Sequence, residues 1–204
     1  MKILVTGGAG FIGSHLVDAF IAKGHKVVVV DNLSTGRASN LNPAAKFYKV
    51  DIAGKGLNDI FKREKPDIVD HHAAQISVSL SVKQPAFDAR ANILGLLNVR
   101  DCSLKFGVKK IIFASSGGCV YGEPDKLPVA ESAPLSPASP YGISKTAGEH
   151  YLRFYYKEYG LKYTALRYAN VYGPRQDPYG EAGVVAIFCG KIIKGERPTI
   201  FGDG

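Results

Sequence analysis

Cysteine is scarce in this sequence. Cys102, Cys119 and Cys189 are its only three in 204 residues, they lie far apart, and no Cys-x-x-Cys pair is present. That spacing excludes a zinc site of the paired-cysteine type, and a chain of this length buries enough core to need neither metal nor disulfide. No metal is expected, and the sparse thiols point to a reducing cytoplasm. Long hydrophobic runs are lacking too. No stretch reaches the roughly 18 to 20 apolar residues that a membrane span requires, and the opening "MKILVTGGAGFIG" has one lysine and too short an apolar run for a signal peptide. Internal repeats and low-complexity tracts are absent. A soluble globular protein is expected.

Charge is not balanced: 26 lysines and arginines against 18 acids leave a net charge of +8. The basic residues are scattered, with "KREK" and "KK" the only tight groups, and no nucleic-acid motif accompanies them. Nucleic acid is therefore not the expected partner. A basic surface that draws in an anionic small molecule accounts for the same charge.

What is present is an alternation. Short β-branched runs at 2–6, 26–30, 46–50, 67–71, 109–115 and 162–168 are separated by amphipathic stretches near 11–23, 57–65, 85–106 and 141–159. Strands apolar throughout and divided by helices imply a parallel sheet covered on both faces, a doubly wound α/β domain. Five prolines between Glu123 and Pro140 predict a long surface loop. The closing "PTIFGDG" has no helix or polar tail after it, and a chain stopped within a domain is expected.

The first strand runs into "TGGAGFIGSH", where Gly7, Gly10 and Gly13 are spaced GxxGxxG and Gly8, Gly10 and Gly13 satisfy GxGxxG. Glycines at a strand-to-helix turn let the backbone approach a pyrophosphate, and the helix N-terminus offers free N–H groups and partial positive charge. Asp31 closes the second strand about twenty residues on, where a carboxylate accepts hydrogen bonds from a ribose diol and repels a 2′-phosphate. NAD is favoured over NADP.

"SPASPYGISK" predicts a helix with Ser139 as N-cap and Pro140 in its first turn. Tyr141 and Lys145, four apart, then share a helical face. A free phenol, with a pKa of about 10, is a poor base at neutral pH; a neighbouring ammonium is expected to lower it.

On these motifs, together with "DNLSTG", "HHAAQISVSLS", Asn92, "SSGGCVYGE" and "LRYANVYGPR", the sequence resembles the extended short-chain dehydrogenase/reductase family over essentially its whole length. The UDP-glucose 4-epimerase branch is the most similar. The resemblance implies a dinucleotide-binding Rossmann domain over 1–168 and the start of a nucleotide-sugar-binding region over 169–204, the remainder being absent. It implies that Phe11 and Ile12 join the cradle glycines at the pyrophosphate, and that Asp31, Asn32, Leu33, Ser34, Thr35 and Gly36 form the adenosine-ribose loop. Asp51 and Ile52 flank the adenine; His72, Ala73, Ala74 and Gln75 line the nicotinamide half; Asn92 and Tyr168 lie near the cofactor; Asn170 meets the sugar diphosphate. Tyr141 is the base and Lys145 its activator. The implied reaction is NAD-dependent 4-epimerisation of a UDP-hexose through a 4-keto sugar. Epimerisation or decarboxylation of a UDP-uronate, and a non-catalytic NAD-binding module, are the alternatives. The sugar and the nucleotide, uridine or thymidine, stay open. The family also implies a homodimer through 85–106 and 141–159.

The resemblance places a catalytic hydroxyl where this chain has Gly117. Ser116 is the expected substitute, since strand alternation turns Ser115 to the other face; Ser115, or no serine, remains open. The Asp-Glu pair of related dehydratases is replaced by Gly118 and Cys119, which disfavours dehydration. His71 and His72 are given no acid–base role.

Overall fold

The structure is a computed structural model that describes residues 1–124, 126–179, 183–200 and 202. Phe201, Asp203 and Gly204 of the closing run lie outside the described residues. Two compact units are present, residues 1–169 and 170–204.

In the first unit, β1 (Lys2–Thr6), β2 (Lys26–Asp31), β3 (Lys46–Lys49), β4 (Ile68–His71), β5 (Lys110–Ser116) and β6 (Lys162–Tyr168) form one sheet in the order β3-β2-β1-β4-β5-β6. Every pairing is parallel. This is the doubly wound order that the strand–helix alternation predicts, with its switch point between β1 and β4. Alternate residues divide the core. Ile3, Val5, Val27 and Val29 pack with Val17 and Phe20 of helix α1 (Phe11–Ala22). Leu4, Val28, Val30 and Val69 face the other way, onto Leu57 and Phe61 of α2 (Leu57–Glu64) and onto residues of two later helices.

The helix expected over 85–106 is interrupted. After α3 (Val78–Lys83), which the sequence reading missed, come α4 (Pro85–Ala89), a π-helical turn (Arg90–Leu94) and α5 (Gly95–Lys105). The wide turn brings Asn92 inward to 4% exposure. At Gly95 a Cβ would stand 2.6 Å from Ile52 Cδ1, so α5 seats on that side chain. Such π turns recur where a side chain must be redirected, often at functional sites. One helical turn, α6 (Gly117–Val120), follows β5 directly, and α7 (Pro140–Tyr159) begins where the sequence places it: Ser139 Oγ accepts from Gly142 N–H at 3.1 Å, and Pro140 fills the first turn.

The second unit carries α8 (Val184–Ile193), none of whose residues is buried. Within that unit Pro178 lies against Gly190, and the Lys194 ammonium sits 4.7 Å over the Tyr179 ring.

Candidate dinucleotide and acid–base site

The glycine turn between β1 and α1 has distinct reasons for each glycine. Gly7 has φ +71°, and a Cβ there would lie 2.6 Å from Ala73 N. At Gly13 a Cβ would lie 2.2 Å from Gly7 O, so the helix is seated against the turn itself. Gly10 differs: a Cβ would meet only Gly7 O, at 3.2 Å. Gly10 also N-caps α1 without a side-chain cap, and no acid stands in the first turn. The space over Gly10 is thus not needed for protein packing, and it opens on an uncapped, positive helix end. Phe11 and Ile12 are the first residues of that helix, with the Phe11 ring edge-on to His15.

Asp31 is 7% exposed. One carboxylate oxygen accepts from Ala9 N–H at 3.0 Å, the other from Leu33 N–H at 2.8 Å, so it ties the glycine turn to the loop after β2. Leu33 has φ +60°, Asn32 Oδ1 accepts from Ser34 N–H at 3.0 Å, and Gly36 leaves room for the Asp31 oxygens, which would lie 3.0 Å from a Cβ there. Thr35 is exposed on the same loop. Asp51 is exposed beside it and accepts from Asn32 Nδ2 at 3.3 Å. Ile52 departs from its expected place: its side chain is buried in the core against Gly95. These residues fit a dinucleotide: an open cradle, a positive helix end and a carboxylate at the next strand's tip converge.

The segment after β4 closes the other side. Ala73 N–H donates to Thr6 Oγ1 at 3.2 Å, which also pairs with His71 Nδ1 at 2.7 Å. His71 is buried and stacks on Phe113, and burial pushes it down to about 3. His72 Nε2 lies 3.1 Å from the Tyr168 hydroxyl, and its Nδ1 lies 3.1 Å from Asp70 Oδ1 but off line for a hydrogen bond. Ala74 and Gln75 follow. Both ends of the Asn92 amide are taken up by protein: Oδ1 accepts from Gln75 N–H at 2.8 Å, and Nδ2 donates to Gln75 O at 3.0 Å and to Asp88 at 2.9 Å. Asn92 therefore clamps this segment.

Tyr141 and Lys145 share one face of α7, with Lys145 Nζ 5.6 Å from the Tyr141 ring centre. The ammonium is 5% exposed and donates to Ala114 O at 2.8 Å. Burial pushes Lys145 down to about 8, with Asp88 acting in the opposite direction. The phenol does not behave as the spacing predicts. Burial pushes Tyr141 up to about 12, Cys119 and Asp88 add to the rise, and only the Ser116 side chain pulls it back. Proximity of the lysine alone does not produce a neutral-pH base, because desolvation of the phenolate outweighs it.

The two serines at the end of β5 both meet α7, rather than facing opposite sides of the sheet as alternation predicts, but they have different partners there. Ser115 Oγ donates to Glu149 Oε1 at 2.5 Å, and Glu149 is held by Arg167, whose Nη2 donates to Oε2 at 2.7 Å. Arg167 Nη1 continues to the Tyr121 hydroxyl at 2.6 Å and to Glu131 O at 2.9 Å. Ser116 lies on the Tyr141 side. Gly117 and Gly118 are helical, and a Cβ at Gly117 would lie 3.1 Å from Arg167 O. Asn170 is exposed and belongs to the second unit.

The contacts of α7 are flush. A Cβ at Gly142 would lie 2.6 Å from Cys119 O, and one at Gly148 2.7 Å from the Phe113 ring. Asp88, Ser81, Ser144 and Glu149 were not singled out from sequence. Glu149 had a readable signal, since Tyr141, Lys145 and Glu149 recur every fourth residue; the others had none.

An open α/β sheet with a glycine cradle at its switch point and a Tyr-x-x-x-Lys pair on the helix that packs on β5 defines a dinucleotide-binding class of α/β protein. The comparisons sharpen this. The chain belongs to the NAD dependent epimerase/dehydratase family, whose model matches residues 3–204. It is 52% identical over 202 residues to a putative UDP-glucose 4-epimerase of Methanocaldococcus jannaschii, covering 99% of this chain and 66% of the relative. It is 49% identical to the UDP-glucose 4-epimerase of Mycolicibacterium smegmatis, covering 100% and 67%. Among solved structures, the UDP-glucose 4-epimerase of Thermotoga maritima with UDP-glucose superposes with TM-score 0.97 at 57% identity, over 100% of this chain and 67% of that one. That of Thermus thermophilus in complex with NAD gives 0.94 at 50% identity, over 98% and 65%. The chain spans about two thirds of the length of these relatives.

Proposed function

We propose that the protein performs NAD-dependent 4-epimerisation of a UDP-hexose, with residues 1–168 as the dinucleotide-binding domain and 169–204 beginning the nucleotide-sugar region. The observation that carries this reading is that Tyr141, Lys145 and Ser116 meet at the C-terminal edge of the sheet, the edge on which the glycine cradle also lies, while Ser115 is taken up by Glu149. Gly7, Gly10, Gly13, Phe11 and Ile12 hold the pyrophosphate, Asp31 and the loop to Gly36 hold the ribose, and Asp51 lies toward the adenine. His72, Ala73, Ala74, Gln75 and Tyr168 line the ring end, with Asn92 acting through Gln75. Bound oxidised nicotinamide would supply the two-electron acceptor for the sugar carbon and a positive charge.

The chain's own residues handle the proton. Tyr141 takes it from the sugar 4-hydroxyl and returns it to the same oxygen after the sugar presents its other face. Ser116 donates a hydrogen bond to that oxygen, and Lys145, fixed on Ala114 O, supports the phenolate. Asn170 meets the diphosphate. Dehydration is disfavoured because Gly118 and Cys119 present no carboxyl acid. Incubation with UDP-galactose and NAD should yield UDP-glucose in a coupled assay, and Tyr141→Phe should abolish turnover while NAD stays bound. Full turnover in that variant would overturn the assignment of the base.

We infer further that two copies associate through α4–α5 and α7, whose Phe87, Leu94, Ile143, Tyr151 and Phe154 are exposed, which light scattering tests directly. Among the described residues no helix is long and apolar enough to cross a membrane. Three unpaired cysteines support placement in the cytoplasm.

A further inference from the structure

Asp88 is completely buried, and its three bonding partners are all neutral. Gln75 Nε2 and Asn92 Nδ2 each donate to Oδ1 at 2.9 Å, and Ser144 Oγ donates to Oδ2 at 2.5 Å. Those partners come from three different places: the segment after β4, the π turn, and the second turn of α7. Ser144 immediately precedes Lys145. One turn earlier Ser81 Oγ accepts from Tyr141 N–H at 3.1 Å, so the start of α7 is held at both of its first turns by side chains of the α3–α4 region.

A carboxylate is costly to bury, and nothing in the fold alone demands one at this position. Three donors satisfy it, and the one on α7, Ser144, stands immediately before Lys145. We propose that Asp88 is a positioning residue for the acid–base pair: it tethers α7 to the cofactor-side segment and supplies the fixed negative charge that faces Lys145. This inference deepens the function proposed above and rests on it for its catalytic meaning, though not for its electrostatics.

The groups that face the Lys145 ammonium come from each packed element. β4 contributes His71, held neutral by burial at about 3, with Lys145 and His72 adding to the depression. α7 itself contributes Tyr141, neutral up to about 12, and Cys119 of α6 faces Tyr141 in turn. Glu149, one turn further on, is committed to Arg167. Asp88 is the one interaction that raises Lys145 against its burial. The sign follows. Removing the charge leaves desolvation unopposed, so Lys145 loses its proton at lower pH.

The test is an NMR titration of this chain enriched with carbon-13 at lysine side chains. In the unsubstituted protein Lys145 should titrate well below the ordinary lysine range, near 8. In Asp88→Asn the Lys145 titration should fall by about one unit or more, and the alkaline limb of UDP-galactose turnover should move down with it. Ser144→Ala, which keeps the charge and removes the tether, should leave the Lys145 titration in place and lower kcat several-fold. An unmoved Lys145 titration in Asp88→Asn overturns the electrostatic role, and an unchanged kcat in Ser144→Ala overturns the tether. Should Asp88→Asn not fold, Ser144→Ala decides alone, and an unchanged kcat in that variant overturns the proposal. A protein that turns over no UDP-hexose yet shows both titration effects would sink the proposed function and leave Asp88 where it is placed here.

Discussion

Ser115 and Ser116 are chain neighbours with different partners on the same helix: the first donates to Glu149 at 2.5 Å, and the second sits against the Tyr141 phenol, two turns earlier on α7. Ser116 both ends β5 and N-caps α6, so the chain turns at this residue and its hydroxyl meets an earlier turn of α7 than Ser115 does. That turn separates a hydroxyl committed to the Glu149–Arg167 pair from one that faces the phenol, where the proposed substrate role needs it.

Alanine substitution should expose that division. Ser116→Ala should lower kcat for UDP-hexose epimerisation by about 10²-fold with little change in melting temperature. Ser115→Ala removes a donor to a half-buried carboxylate and should cost about 1–2 kcal/mol of stability, measured by urea denaturation. Equal kinetic losses in the two variants would contradict the assignment.

The cradle glycines should separate in the same way. Gly13→Ala puts a methyl 2.2 Å from a backbone oxygen and should prevent native packing of α1, seen as loss of cooperative melting. Gly10→Ala meets only Gly7 O at 3.2 Å, so the variant should fold and yet bind NAD at least about tenfold more weakly, read by calorimetry.

Tyr141 should be invisible to an ultraviolet pH titration of the cofactor-free protein until the pH approaches about 12, since burial raises the phenol. A difference titration against Tyr141→Phe isolates it. Added NAD should bring the tyrosinate signal to lower pH, because a positive charge beside the ring favours the anion. No movement on adding NAD would argue against placing the ring end of the cofactor beside this phenol.

Acid stability should have its own signature at Glu64, which is 6% exposed. Burial pushes its carboxyl up, but bonds from Lys46 at 2.6 Å, Tyr48 at 2.5 Å and Lys2 at 3.3 Å outweigh it and bring it down from 4.5 to about 2. A depressed carboxyl stabilises the fold above its unfolded pKa, and that contribution is lost as pH falls from about 4.5 toward 2. Glu64→Gln should lower stability at neutral pH by on the order of 2 kcal/mol, discounted for the solvent around Lys46. It should also flatten the acid limb of a denaturation series.

The sheet and the cradle were legible because their signals are local: β-branched runs, glycine spacing, and an acid closing the next strand. The Tyr141–Lys145 face was legible for the same reason. Its chemistry was not, since spacing reports neighbourhood while the phenol's acidity depends on how deeply the fold buries it. Asp88 and Ser81 were silent because their partners, Ser144 and Tyr141, lie 56 and 60 residues away. The π turn was hidden likewise: it answers to Ile52 and Gln75, not to its own sequence. α3 was missed as a serine-rich stretch whose N-cap, Ser77, bonds Leu80 N–H at 3.0 Å, and α8 because "VVAIFCGKII" carries no polar face to mark a period.

The two glycines by which α7 rests on its neighbours act as mechanical stops. With no atom to spare at Gly142 or Gly148, the long helix can sink no deeper, and any added carbon at either point would lift the whole rod. Reactive groups on that rod are thus levelled by residues that have nothing to react with.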